Sequence, residues 1–123
     1  MGENEEFLRG IALFNSGKFF ESHEVWEESW LKAFEPEKAF LQGLIQVAAA
    51  FHHRGRGNTR GLRSLLAAGL AKLDQFPEVH RGIALGELRD DARKWLDGGA
   101  DSQPLPRIQF TSGGSSKARR PCG

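Results

Sequence analysis

His23, Glu24 and Glu27 fall within one turn or so of each other, and their types and spacing suit a metal or acid–base site. Residues four apart on a helix project from one face, so His23 and Glu27 can address a single ion, as the paired histidines of His-Glu-x-x-His metalloenzymes do. Glu27 replaces the second histidine here, and a carboxylate is an acceptable ligand for zinc, iron or manganese. Glu24, beside the first ligand, occupies the position where those enzymes keep the base that activates water. Two ligands do not hold a catalytic ion, so a third must come from elsewhere. His53, accompanied by Gln46 on the same stripe of the next helix, is the best source, while His52 points about 100° away and is the weaker candidate.

The same residues admit two other readings. In one, His23, Glu27, Gln46 and His53 satisfy each other as a polar network under Trp26 and Trp30, tying two helices together without an ion. In the other they line a small-ligand pocket that holds no metal. All three require the imidazole and carboxylate to be held away from bulk water, facing polar groups of the following helix.

A second feature is the run from His52 to Arg63. Arg54 and Arg56 lie where one helix ends and another begins, a place where backbone amides and cationic side chains can hold a phosphate or carboxylate. With Arg60 and Arg63 the run offers a reading as an RNA or phosphate binder. Against this, arginines near a helix C-terminus offset its dipole, Gly55, Gly57, Asn58 and Thr59 are ordinary turn and cap residues, and no aromatic platform interleaves them.

Five helices are expected to position these groups. Asn4 caps the first, with Phe7, Leu8, Ile11 and Phe14 as its apolar stripe and Gly17 as its stop. Phe19 or Phe20 opens the second, where Phe19, His23, Trp26 and Trp30 share a buried stripe until Glu35-Pro36 ends it. The third runs from about Glu37 to Arg54, apolar over much of its circumference and therefore central, with small Gly43 and Ala50 admitting a neighbour. Asn58-Thr59 caps the fourth, which faces inward through Leu62, Leu65, Leu66, Leu70 and Leu73. The fifth spans about Ile83 to Leu96, with Leu85, Leu88, Ala92 and Trp95 inward and Gly98-Gly99 as its terminator. His80 is expected to be an exposed loop histidine. The fold class is all-α, two successive helix hairpins and a C-terminal packing helix, with residues 1–110 as one helical domain and 111–123 as a disordered Gly/Ser/Arg tail.

Composition agrees with helices and narrows the function classes. Phe, Leu, Ala and Trp dominate the apolar residues, whereas Val, Ile and Thr are sparse. Seventeen Lys plus Arg against sixteen Asp plus Glu leave a net charge of +1, which gives no global field for nucleic acid or anionic membrane. Cys122 is the single cysteine, so no disulfide framework is expected, and an acidic opening with no long apolar run points to a cytoplasmic protein. The aromatic abundance leaves room for a homodimer.

The run from Phe14 to Glu27 with Trp30, then Gly43 to His53, then Arg56-Gly57-Asn58, resembles the domain-of-unknown-function 309 family over most of residues 5–75. That resemblance implies a compact helical protein often described as a metal-dependent hydrolase without an established reaction. It places His23, Glu24 and Glu27 in the family's histidine–acid motif and Gln46, His53 and Asn58 at its other polar positions. The reading that follows is a polar pocket between the second and third helices, with His23, Glu27 and His53 on a divalent transition metal, Glu24 as base, Gln46 and Asn58 as pocket groups, and Arg54 or Arg56 orienting an anionic group of the substrate. Its rivals are a non-enzymatic interaction module and an RNA or phosphate binder.

Overall fold

A computed structural model describes residues 2–97 and 104–111, with side chains from Asn4 onward. Along the chain come α1 (Gly2–Asn15), α2 (Phe19–Lys32), α3 (Glu37–Gly55), α4 (Thr59–Leu73), β1 (Val79–His80), β2 (Ile83–Ala84) and α5 (Leu85–Asp97). The all-α expectation holds, with α1–α2 and α3–α4 as hairpins, α3 between α2 and α4, and α5 against α4. No described helix is long and apolar enough to cross a membrane.

The first hairpin closes through its own side chains. Phe7, Ile11 and Phe14 of α1 are buried, while Leu8, expected on that stripe, is exposed. Trp26 turns towards α1, its Nε1 donating to the Phe7 carbonyl at 3.2 Å, and the buried Ser22 hydroxyl donates to the Gly10 carbonyl at 2.9 Å. A Cβ at Gly10 would collide with the Trp26 indole, so the helices meet at this distance only because position 10 has none. Asn4 does not cap α1 but lies within it, since the helix starts at Gly2.

Two turns of the same design lie at one end of the molecule. After α1, Lys18 N–H reaches back to the Leu13 carbonyl and Gly17 N–H to that of Phe14, with Gly17 at φ +81°. After α3, Asn58 N–H bonds the His53 carbonyl and Gly57 N–H that of Arg54, with Gly57 at φ +78°. Both are Schellman closures, in which a residue in the left-handed region ends the helix and satisfies its last carbonyls. Asn58 then caps α4 by accepting from Gly61 N–H at 3.0 Å.

The second hairpin is the closest helix pair. Gly43 and Gly69 face each other across it, and a Cβ on Gly69 would lie 2.9 Å from the Gly43 carbonyl oxygen. Leu62, Leu66, Leu70 and Leu73 are buried as expected, with Leu65 at the margin of the core.

The region after α4 departs from the sequence reading. Ile83 and Ala84 open no helix; they pair with Val79 and His80 in a two-stranded antiparallel ladder, and α5 begins at Leu85. His80 is not an exposed loop residue, because its ring lies 4.5 Å from that of Phe40 and 5.0 Å from that of Phe76, with Nε2 3.4 Å from Glu37. Residues 104–111 return across the domain, Asn15 exchanging two hydrogen bonds with Ile108 and Ala84 N–H donating to the Gln109 carbonyl. Of the tail expected at 111–123, Thr111 bonds the Gly82 carbonyl, whereas the remainder, Cys122 included, lies outside the described residues. The expected terminator Gly98-Gly99 also lies outside them.

Candidate functional site

The first turns of α2 and the last turns of α3 enclose a cavity of about 280 Å³ lined by Phe20, His23, Ala49, His52 and His53. Phe20 and His23 are three apart on α2, and Ala49 is three and four residues before the two histidines on α3, so each set shares a helix face. Every aromatic or titratable side chain in that lining is an imidazole except Phe20.

His23 Nε2 lies 3.4 Å from Glu27 Oε2, the one-turn pair expected from the spacing. Its Nδ1 is buried without a hydrogen-bond partner. The shielding is uneven: the His23 side chain is 24% exposed and that of Glu27 52%. The expectation that both are kept from bulk water therefore holds for the imidazole and fails for the carboxylate, which reaches outward from the helix surface. Phe20 covers the histidine, with ring centroids 5.8 Å apart and planes 26° from parallel, and approaches His52 at 5.1 Å.

His53 is oriented by Asn58. Asn58 Oδ1 is taken by the Gly61 N–H, so its Nδ2 is the end facing His53 Nδ1 at 3.1 Å. An amide nitrogen only donates, which makes Nδ1 the acceptor and puts the proton of neutral His53 on Nε2. Asn58 thus joins a cavity histidine to the start of α4.

The other expected residues disperse. Gln46 does not line the cavity; a Cβ on Gly69 would lie 3.2 Å from its own Cβ, which puts Gln46 against α4, and its Oε1 is buried without a partner. Glu24 is exposed and outside the lining. Among the described residues, no three His, Cys, Asp or Glu side chains form a group able to hold a metal ion.

The basic run is divided among three places. Arg54 lies over the Trp95 ring at 4.9 Å with its Nε buried and unpartnered. Arg56 instead faces a neighbouring cleft of about 380 Å³ with Lys18, Phe20, Glu21 and His52 on its walls. Arg60 and Arg63 border a wider cleft of about 810 Å³ shared with Asp97. Arg54 is in the last turn of α3 whereas Arg56 lies just past its end in the closing turn, which is why the two part.

Three contributors were not singled out by sequence reasoning or were ranked low. Phe20 carried a signal in its three-residue spacing to His23, and Lys18 carried none, since only the turn after α1 brings it beside α3. His52 was set aside for its angle to His53, yet a groove between two helices admits adjacent positions on its floor and rim.

Two similar proteins are described as uncharacterised. A protein of Aquifex aeolicus (strain VF5) is 36% identical over 88 residues, which is 71% of this chain and 26% of that protein. YpuF of Bacillus subtilis (strain 168) is 43% identical over 67 residues, 53% of this chain and 36% of that protein. The chain thus spans little more than a third of either relative at most. Residues 7–65, from the first turns of α1 to the middle of α4 and including every cavity residue, match the family model DUF309, Domain of unknown function, in agreement with the motifs around His23 and His53.

Proposed function

We propose that this protein binds a small molecule between α2 and α3, and that His23 transfers a proton to or from it while Glu27 orients the imidazole. The observation that carries this is the division of labour on one ring: Nε2 faces a carboxylate, and Nδ1 is shielded and unpartnered in a side chain that lines a cavity. A carboxylate accepts and never donates, so it favours the tautomer with the proton on Nε2 and leaves the Nδ1 lone pair available. The 3.4 Å separation is long for a hydrogen bond, as such pairs commonly are before substrate tightens them.

Long-range proton–nitrogen NMR on the histidines tests the pair directly. In alkaline solution His23 is expected as the Nε2–H tautomer, and Glu27→Ala should shift it towards a mixture. An Nδ1–H tautomer indifferent to Glu27 would remove the proposal.

A metal-dependent hydrolase would need His23, Glu27 and His53 on one ion with Glu24 as base. The donor set does not fit this as it stands: His53 Nδ1 is engaged by Asn58, Glu24 is away from the cavity, and no described group converges. Protein purified without a histidine tag should accordingly show no stoichiometric zinc, manganese or iron, and no rise in melting temperature on their addition. An ion present at a hundred times its dissociation constant would add about 2.7 kcal/mol, roughly ten degrees for a domain this size, so such a rise would reinstate the metal.

A further inference from the structure

Two adjoining cavities share Phe20 and His52 and differ in chemistry. The one described above is lined by imidazoles and Ala49; its neighbour carries Lys18 from the turn after α1 and Arg56 from the turn after α3. Neither cation has an ion-pair or hydrogen-bond partner among the described residues, and Glu21, the acid on the same wall, pairs with neither. Their backbones are set by the two glycine closures, so both residues border one cleft as a consequence of the fold. By contrast, Arg81, Arg89 and Arg93 are all committed to carboxylates.

We infer that the molecule bound in the imidazole cavity is a planar organic phosphate, its ring against Phe20 and its phosphate between Lys18 and Arg56. This rests on the reading of the His23 cavity given above. Phe20 is 46% exposed although its ring stacks on His23 and lies tilted against His52, so part of its ring edge and face stays open where the cavities join. A dianionic head matches two cations better than a carboxylate does, arginine contributing a forked donor and lysine a mobile point charge. The combined space falls in the ordinary range for a small-molecule site.

The test is NMR titration of the full chain with phenyl phosphate, phenol and inorganic phosphate, read at the imidazole resonances of His23, His52 and His53. Phenyl phosphate should produce saturating shifts that weaken with added salt, and Arg56→Gln or Lys18→Gln should reduce its affinity by about tenfold. Both side chains are exposed, so unchanged melting curves will show that the variants fold. Phenol binding as tightly as phenyl phosphate, with no effect of Arg56→Gln, would overturn the phosphate while leaving the His23 cavity standing. Inorganic phosphate binding as tightly as phenyl phosphate would overturn the ring. No shift with any probe up to about 10 mM, beyond which binding is weaker than ordinary ligand recognition, would overturn the inference entirely. The His23 tautomer needs no ligand, so failure here and failure of the underlying reading are separately visible.

Discussion

At the scale of single residues, how deeply a polar group is buried decides what its partner contributes. Glu27 is half in water, so Glu27→Ala should alter stability by less than about 1 kcal/mol in urea denaturation, even where it changes the His23 tautomer. Glu6 is a different case. The buried Ser29 hydroxyl donates to its carboxylate at 2.8 Å and Lys32 adds a second contact at 3.2 Å. The Ser29 hydrogen bond first, then Lys32, hold its pKa below the ordinary value of 4.5 against the opposing effect of desolvation. A carboxylate whose folded pKa is lowered stabilises the protein above the unfolded value, and that stability is lost as pH falls through the folded one. Ser29→Ala should therefore cost about 1 kcal/mol near neutrality, and the difference from wild type should shrink once the pH drops below about 4.5. A gap independent of pH would show that the hydroxyl contributes by packing alone.

At the scale of helices, the strongest constraints are close approach and capping. Adding a methyl at Gly69 gains helix propensity of up to about 1 kcal/mol, yet the new atom would sit 2.9 Å from a backbone oxygen that has no rotamer by which to yield. Overpacking should win, making Gly69→Ala a net loss of about 1–2 kcal/mol by denaturant melts. Arg89, with only 11% of its side chain exposed, donates to the carbonyls of Leu73 and Phe76 at 2.8 and 2.7 Å and so closes the end of α4. Arg89→Met keeps the stem and removes the donors, for an expected cost of about 2 kcal/mol and faster amide exchange in the last turn of α4.

These helices were legible because Phe7, Ile11 and Phe14, or Leu62, Leu66, Leu70 and Leu73, repeat with the helical period. The hairpin at 79–84 was not, since two residues per strand carry no alternation to read. The site was half legible for a related reason. One-turn pairing of His23 with Glu27 is local and follows from spacing, whereas the association of Lys18 with Arg56 depends on how two turns far apart in sequence come to lie at one end.

At the scale of the molecule, the segment 104–111 decides whether the two ends of the chain form one cooperative unit. It lies beyond every described helix, yet Ile108 is fully buried, and its backbone exchanges two hydrogen bonds with the Asn15 side chain at the end of α1. Pro104 accepts from Trp95 Nε1 at 3.2 Å, which ties the same segment to α5, and Phe110 bridges to Ile83 of β2. The first helix, the last helix and the small ladder thus meet at a single stretch without helical structure. Ile108→Ala should cost about 3 kcal/mol, and because its neighbours belong to both ends of the chain, the loss should appear in one cooperative transition. Asn15→Ala should move the same transition by a smaller amount, with the imidazole resonances of His23 and His53 unchanged in the folded state. A melting curve that splits into two steps would show instead that α1 to α4 fold without the strap. The four helices spanning residues 2–73 would then be a self-sufficient unit to which α5 and the returning segment are added.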